Sequence, residues 1–121
     1  MTEQQANALF EKWVKILKLG DWDINFLWKC DPKRMVEDAA GCTSYNPVCM
    51  QAVVEIADFE LYEPDMKGFE NIDYEQVLVH ELLHLKFADV YEASEDPVYV
   101  QTTHRLLDQL AKSFVEVARA C

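Results

Sequence analysis

The sequence predicts an α+β domain: an N-terminal helix, a small and largely antiparallel sheet of two to four strands, a metal-binding helix, and a long C-terminal helix. Three observations carry this. Apolar residues recur at intervals of three and four near both ends of the chain. Two central stretches alternate apolar and polar residues, the period of a half-buried strand. Between them and the last helix lies an apolar run, Val77 to Leu85, that holds two histidines four residues apart.

Taken in order, Ala6, Leu9, Phe10, Trp13, Val14 and Leu17 form one stripe, predicting a helix from Glu3 to Lys18 that stops at Gly20. Trp22, Ile24, Phe26 and Trp28 alternate with mostly polar residues, so this strand should turn its large side chains to the helices. Asp31 to Ala39 reads as a loop or short helical turn. Gly41 opens a second strand, Asn46-Pro47 signals a turn, and Met50, Ala52, Val54 and Ile56 mark one face of a third. The pair should be antiparallel. Asp58 to Ile72 is an acidic connection. Asp73, with Gln76 three residues on, is the expected capping box of a helix reaching Ala88 or Asp89. A short acidic loop over Tyr91 to Glu95 follows, and Asp96-Pro97 starts the final helix, which runs to about Ala120.

The apolar run contains His80-Glu81-Leu82-Leu83-His84. On a helix, residues four apart share a face about 6 Å apart along the axis, so both imidazoles can address one metal ion. That spacing suits zinc. Glu81 lies about 100° further round, off the ligand stripe but beside it, where it could take a proton from a zinc-acidified water. Because the neighbours are Val, Leu and Phe, the helix should be buried nearly all round, and a metal would satisfy its few inward polar groups.

A catalytic zinc requires three protein ligands and one open position. His104, the remaining histidine, stands on the last helix, which can fold back across the first, and Asp108 shares its face four residues on. A carboxylate there could fix the tautomer of a ligating histidine. Glu92, Glu95 and Asp89 are alternative third ligands. The expected cofactor is one zinc ion per chain, on His80, His84 and His104.

These residues resemble the zincin metallopeptidases. The His80, Glu81 and His84 pattern, with a downstream helical ligand and Asp108 four residues after it, is similar to the gluzincin arrangement. A histidine at position 104, where gluzincins carry glutamate, resembles instead the SprT-like proteases. The chain also looks like small metallopeptidase-like proteins of bacteriophages and prophages, with a tryptophan-bearing strand, a glycine-led second strand and a helix carrying His-Glu-Leu-Leu-His-Leu. The resemblance implies a minimal zincin core and zinc-dependent peptide hydrolysis.

The expected mechanism follows: Glu81 as general base, and a tyrosine among Tyr45, Tyr91 and Tyr99 as second donor to the oxyanion. An extended peptide is expected to add to the sheet edge along the strand from Cys49 to Ala57. The alternative is a zinc-binding module without turnover, serving as an interaction or regulatory unit. A chain of 121 residues is read as one domain, 1–121. With 22 acidic against 11 basic residues its net charge of −11 repels nucleic acid and anionic membranes, leaving a peptide or protein substrate as partner and the oligomeric state open. No apolar run reaches the roughly 20 residues that span a bilayer. Four cysteines without a C-x-x-C pair and the lack of a signal-like start predict a cytoplasmic protein with reduced thiols, a Cys42 to Cys49 bridge across the hairpin being conceivable under oxidation.

Overall fold

Thr2 caps the first helix: its hydroxyl accepts from the Gln5 amide, and the Gln5 side chain accepts from the Thr2 amide. In the computed structural model, which describes residues 1–31, 40–58, 72–88 and 96–120, this helix, α1 (Glu3–Ile16), leads to three strands. They are β1 (Asp23–Cys30), β2 (Gly41–Asn46) and β3 (Gln51–Ala57). Two helices follow, α2 (Tyr74–Lys86) and α3 (Pro97–Ala120). The architecture is α+β, as the periodicities predict. Residues 32–39 and 59–71, most of two predicted connections, lie outside the described residues, as does the acidic loop with Tyr91, Glu92 and Glu95 and the neighbouring Asp89.

The sheet order is β1-β3-β2, and the sheet is mixed. β2 and β3 form the expected antiparallel pair, with Thr43 opposite Val54 and Tyr45 opposite Ala52. β1 joins the other side of β3 in parallel, Ile24 beside Ala52 and Phe26 beside Val54. Alternation in a sequence tells which face of a strand is buried, but not which neighbour it takes or in which direction. β3 is therefore central, which corrects the expectation that the strand from Cys49 to Ala57 forms the edge. The register also separates the two hairpin thiols: Cys42 lies opposite Glu55, while Cys49 belongs to the turn, so they do not face each other across the ladder. Lys29 takes a positive φ of 56° where the β1–β3 register slips between Leu27 and Cys30, a bulge after which Cys30 still pairs with Ala57.

One face of the sheet is covered by helices. Ala52, Val54 and Ile56 of β3 are buried, and Ile24, Phe26 and Trp28 of β1 pack against the same core. Phe10 of α1 stacks on Phe26 at 4.7 Å between ring centres, joining the helix to β1. α2 contacts α1, β2, β3 and α3, so its Leu78, Val79, Leu82, Leu83 and Leu85 are all buried. Burying each such leucine contributes roughly 1.5–3 kcal/mol. α3 lies chiefly against α2 through Leu107, Ala111 and Val115.

A polar clamp fixes the start of α2. Asp73 caps it by accepting from the Glu75 and Gln76 amides, without the reciprocal bond that Gln76 would give in a capping box. Glu75, 6% exposed, accepts from Trp13 Nε1 at 2.8 Å and from Arg119 Nε and Nη2 at 3.2 and 3.0 Å. Arg119 also donates to both Asp73 oxygens, at 2.7 and 3.0 Å. Three helices thus meet at one buried carboxylate, and the C-terminal end of α3 is pinned to the N-terminal end of α2. Among the described residues, no helix is long and apolar enough to cross a membrane.

Candidate metal centre

α2 carries His80 and His84 on the stripe that faces α3, and α3 returns His104 to the same point. The three imidazoles converge, with ring centres 5.0 Å apart for His80 and His84, 5.0 Å for His84 and His104, and 5.6 Å for His80 and His104. His84 Nε2 is 3.2 Å from His80 Nε2, and His104 Nδ1 is 3.5 Å from that same atom. One potential ligand atom from each lies within 4.8 Å of the others. Three histidines are therefore close enough to share one metal ion.

The distances admit a sharper comparison. With metal–nitrogen bonds of about 2.0–2.1 Å, two ligands of a tetrahedral ion stand about 3.3–3.4 Å apart. The observed 3.2 and 3.5 Å bracket that edge. In a metal-free chain, hydrogen bonds from one imidazole to another can satisfy only part of such a cluster; a cation satisfies all three lone pairs at once.

Charge supports the same geometry. Burial, followed by the neighbouring His80 and His104, holds the His84 imidazolium down to about pKa 3. For His80, burial likewise lowers the pKa, the Asp108 carboxylate opposing it and His104 adding to it. Both rings are neutral near pH 7, the form that ligates a metal. Asp108 Oδ1 lies 2.6 Å from His80 Nδ1, a charge contact without the alignment of a straight hydrogen bond. A carboxylate accepts only, so this contact favours the proton on Nδ1 and leaves the Nε2 lone pair toward the cluster. Asp108 stands where the spacing from His104 placed it, but it addresses His80.

Glu81 occupies the flank of the cluster. It is 5% exposed, and its Oε2 is 3.8 Å from His80 Nε2. Burial pushes its pKa up to about 7, with the Thr43 hydrogen bond opposing and Asp108 adding to the rise. Thr43 Oγ1 is 2.8 Å from Glu81 Oε1 and 3.0 Å from the Glu81 carbonyl oxygen. Gly41 provides the space: a Cβ there would fall 2.8 Å from Glu81 Cγ. Gly41 and Thr43 were not among the residues singled out from sequence. Alternation places them on one face of β2, but nothing local says that this face meets α2.

The other expected participants are placed as follows. Tyr45 packs edge-on against Trp22, opposite Ala52, toward the other end of β2 from Gly41. Tyr99 is 43% exposed on α3. Tyr91 and the alternative ligands Asp89, Glu92 and Glu95 lie outside the described residues. Comparison with protein-family models, curated proteins and solved structures finds no match to the chain, so any function assigned to it rests on this geometry.

Proposed function

We propose that the chain is a zinc-dependent peptidase of minimal zincin type, with His80, His84 and His104 as ligands and Glu81 as general base. The observation that carries this reading is a histidine trio, with His84 and His104 each at tetrahedral-edge distance from His80, beside a buried carboxylate oxygen 3.8 Å from His80. A structural zinc has no use for such a carboxylate and generally draws on cysteine. Among the described residues Cys30, Cys42 and Cys49 form no disulfide, and none is part of the cluster.

Zinc, when bound, supplies a Lewis acid that polarises a carbonyl and acidifies water. The chain's own residues supply the rest. Glu81 Oε2 accepts the proton of the attacking water and later returns it to the leaving amine. In the metal-free chain its burial raises its proton affinity, and a bound cation would oppose that rise. Asp108 keeps His80 in the tautomer that presents Nε2. His104, on the exposed side of α3, leaves the cluster open toward solvent, where a substrate enters. Substrate would lie in extended form along β2, the edge strand that carries Gly41 and Thr43, rather than along β3.

The test is Glu81→Gln. The variant should fold, hold one zinc per chain, and lose hydrolysis of a quenched fluorescent peptide library that the wild type cleaves. Unchanged turnover would refute the assigned base. A wild type that binds zinc tightly but cleaves nothing in the library would favour a zinc module without turnover.

A further inference from the structure

The two oxygens of Glu81 are not equivalent. Oε1 is held by the Thr43 hydroxyl at 2.8 Å, and Oε2 is the one nearer His80 Nε2, at 3.8 Å. We propose that Thr43 is a positioning residue that decides how the Glu81 carboxylate is presented to the histidine cluster; this rests on the reading of Glu81 as the proton acceptor.

A glutamate side chain turns about three torsions, and freezing it requires contacts on more than one side. β2 provides two. Thr43 Oγ1 lies 2.8 Å from the Glu81 carboxylate and 3.0 Å from the Glu81 carbonyl; its single proton goes to the nearer, charged acceptor and holds the carboxylate beside its own turn of helix. Two residues earlier, on the same face of the strand, the Gly41 backbone closes against the stem. A Cβ at position 41 would lie 2.8 Å from Glu81 Cγ and 3.1 Å from Cδ, too near for any side chain.

The seat is itself rigid. Gly41 pairs with Ile56 and Thr43 with Val54, and both partners are 0% exposed in the core. Threonine adds stiffness, because its branched Cβ restricts χ1. Without the hydroxyl, Glu81 would keep its burial but lose the contact that distinguishes one oxygen from the other. Metal binding by the three histidines does not depend on this contact, so affinity for the ion and presentation of the base are separable.

That separation defines the experiment, which needs no knowledge of the substrate. The protein is loaded with cobalt(II), whose visible absorption reports the coordination sphere, and titrated with acetohydroxamic acid. Acetohydroxamic acid would give up its O–H proton on binding to the loaded cluster, and Glu81 Oε2 would be placed to accept it. The variants are Thr43→Val, which keeps shape and removes the hydroxyl, Thr43→Ser, which keeps the hydroxyl, and Glu81→Gln. Cobalt affinity should stay within about 3-fold in all three, as no ligand is altered. Thr43→Val should bind acetohydroxamate about 10-fold more weakly, the order of the rotamer freedom that an untethered glutamate gives up on binding, and Thr43→Ser should restore the wild-type value.

Wild-type hydroxamate binding in Thr43→Val would overturn the positioning role, as would a defect that Thr43→Ser fails to repair. If Glu81→Gln weakens the chelate while Thr43→Val does not, the base stands and Thr43 alone is removed from the argument. If Glu81→Gln also binds as the wild type does, the reading of Glu81 fails and the proposal fails with it.

Discussion

Zinc should stabilise this chain through a clamp between two helices, and the histidine on α3 should decide whether it does. α3 is fastened to α2 at two places: near its N-terminal half by His104 and Asp108 against His80 and His84, and at its end by Arg119 on Asp73 and Glu75. Ligand that binds only the folded chain at 100 times its Kd adds about 2.7 kcal/mol. Unfolding entropy of roughly 2.1 cal/mol/K per residue near 60 °C converts this to a rise of about 10 °C in Tm for a chain of 121 residues. In His104→Ala only the i, i+4 pair on α2 remains, and an ion bound there no longer bridges to α3. The expected shift is under about 3 °C at the same zinc concentration. Asp108→Ala keeps all three ligands but weakens affinity by about 10- to 100-fold, giving a shift of about 6 °C at the lower figure and about 2 °C at the upper. The assay is thermal unfolding of chelator-treated protein with and without added zinc, read beside metal content by mass spectrometry. A full shift in His104→Ala would refute a three-histidine site and move the third ligand to Asp89, Glu92 or Glu95.

Two further outcomes are expected. Glu75→Ala leaves the Trp13 indole N–H buried without its acceptor, so unfolding in denaturant should show a loss of roughly 1–3 kcal/mol, with the Trp13 emission altered in the native state; a loss under 1 kcal/mol would show the clamp to be dispensable. Glu81 gives a pH signature in the metal-free chain. A carboxyl whose folded pKa is raised from 4.5 to about 7 keeps its proton while the unfolded chain ionises, so stability falls as pH rises through that window and stays reduced above it. Glu81→Gln lacks this penalty and should be more stable than the wild type at pH 8, by at most roughly 3 kcal/mol, yet not at pH 4. Parallel stability curves for the two proteins would show that the buried carboxyl is not shifted.

Much of the centre is local in the sequence. His80 and His84 share a face because four residues are close to one helical turn, and Glu81 flanks them for the same reason; no tertiary contact is needed to bring them together. The burial of α2 is legible too, since Val77 to Leu85 offers no polar side to water apart from those three residues. The N-caps at Asp73 and Asp96, the antiparallel β2–β3 pair and the inward faces of β1 and β3 all follow from short-range rules of side-chain chemistry and alternation.

Much of what crosses between elements was decided elsewhere. A periodic pattern assigns an apolar face but does not name the face it meets, so β1 in parallel beside β3, and β3 at the centre of the sheet, emerge only when all strands compete for one hydrophobic layer. The same holds for Asp108, which spacing placed beside His104 and packing turned to His80. It holds most for Gly41 and Thr43, separated from Glu81 by about 40 residues and seated against it through the docking of β2 on α2. The sequence by itself determined that His80, Glu81 and His84 cluster on one buried helix, because that motif lies within about one turn of backbone. Only the tertiary structure decided that Gly41 and Thr43 seat Glu81 and that Asp108 addresses His80, because those contacts depend on how separate elements share a core.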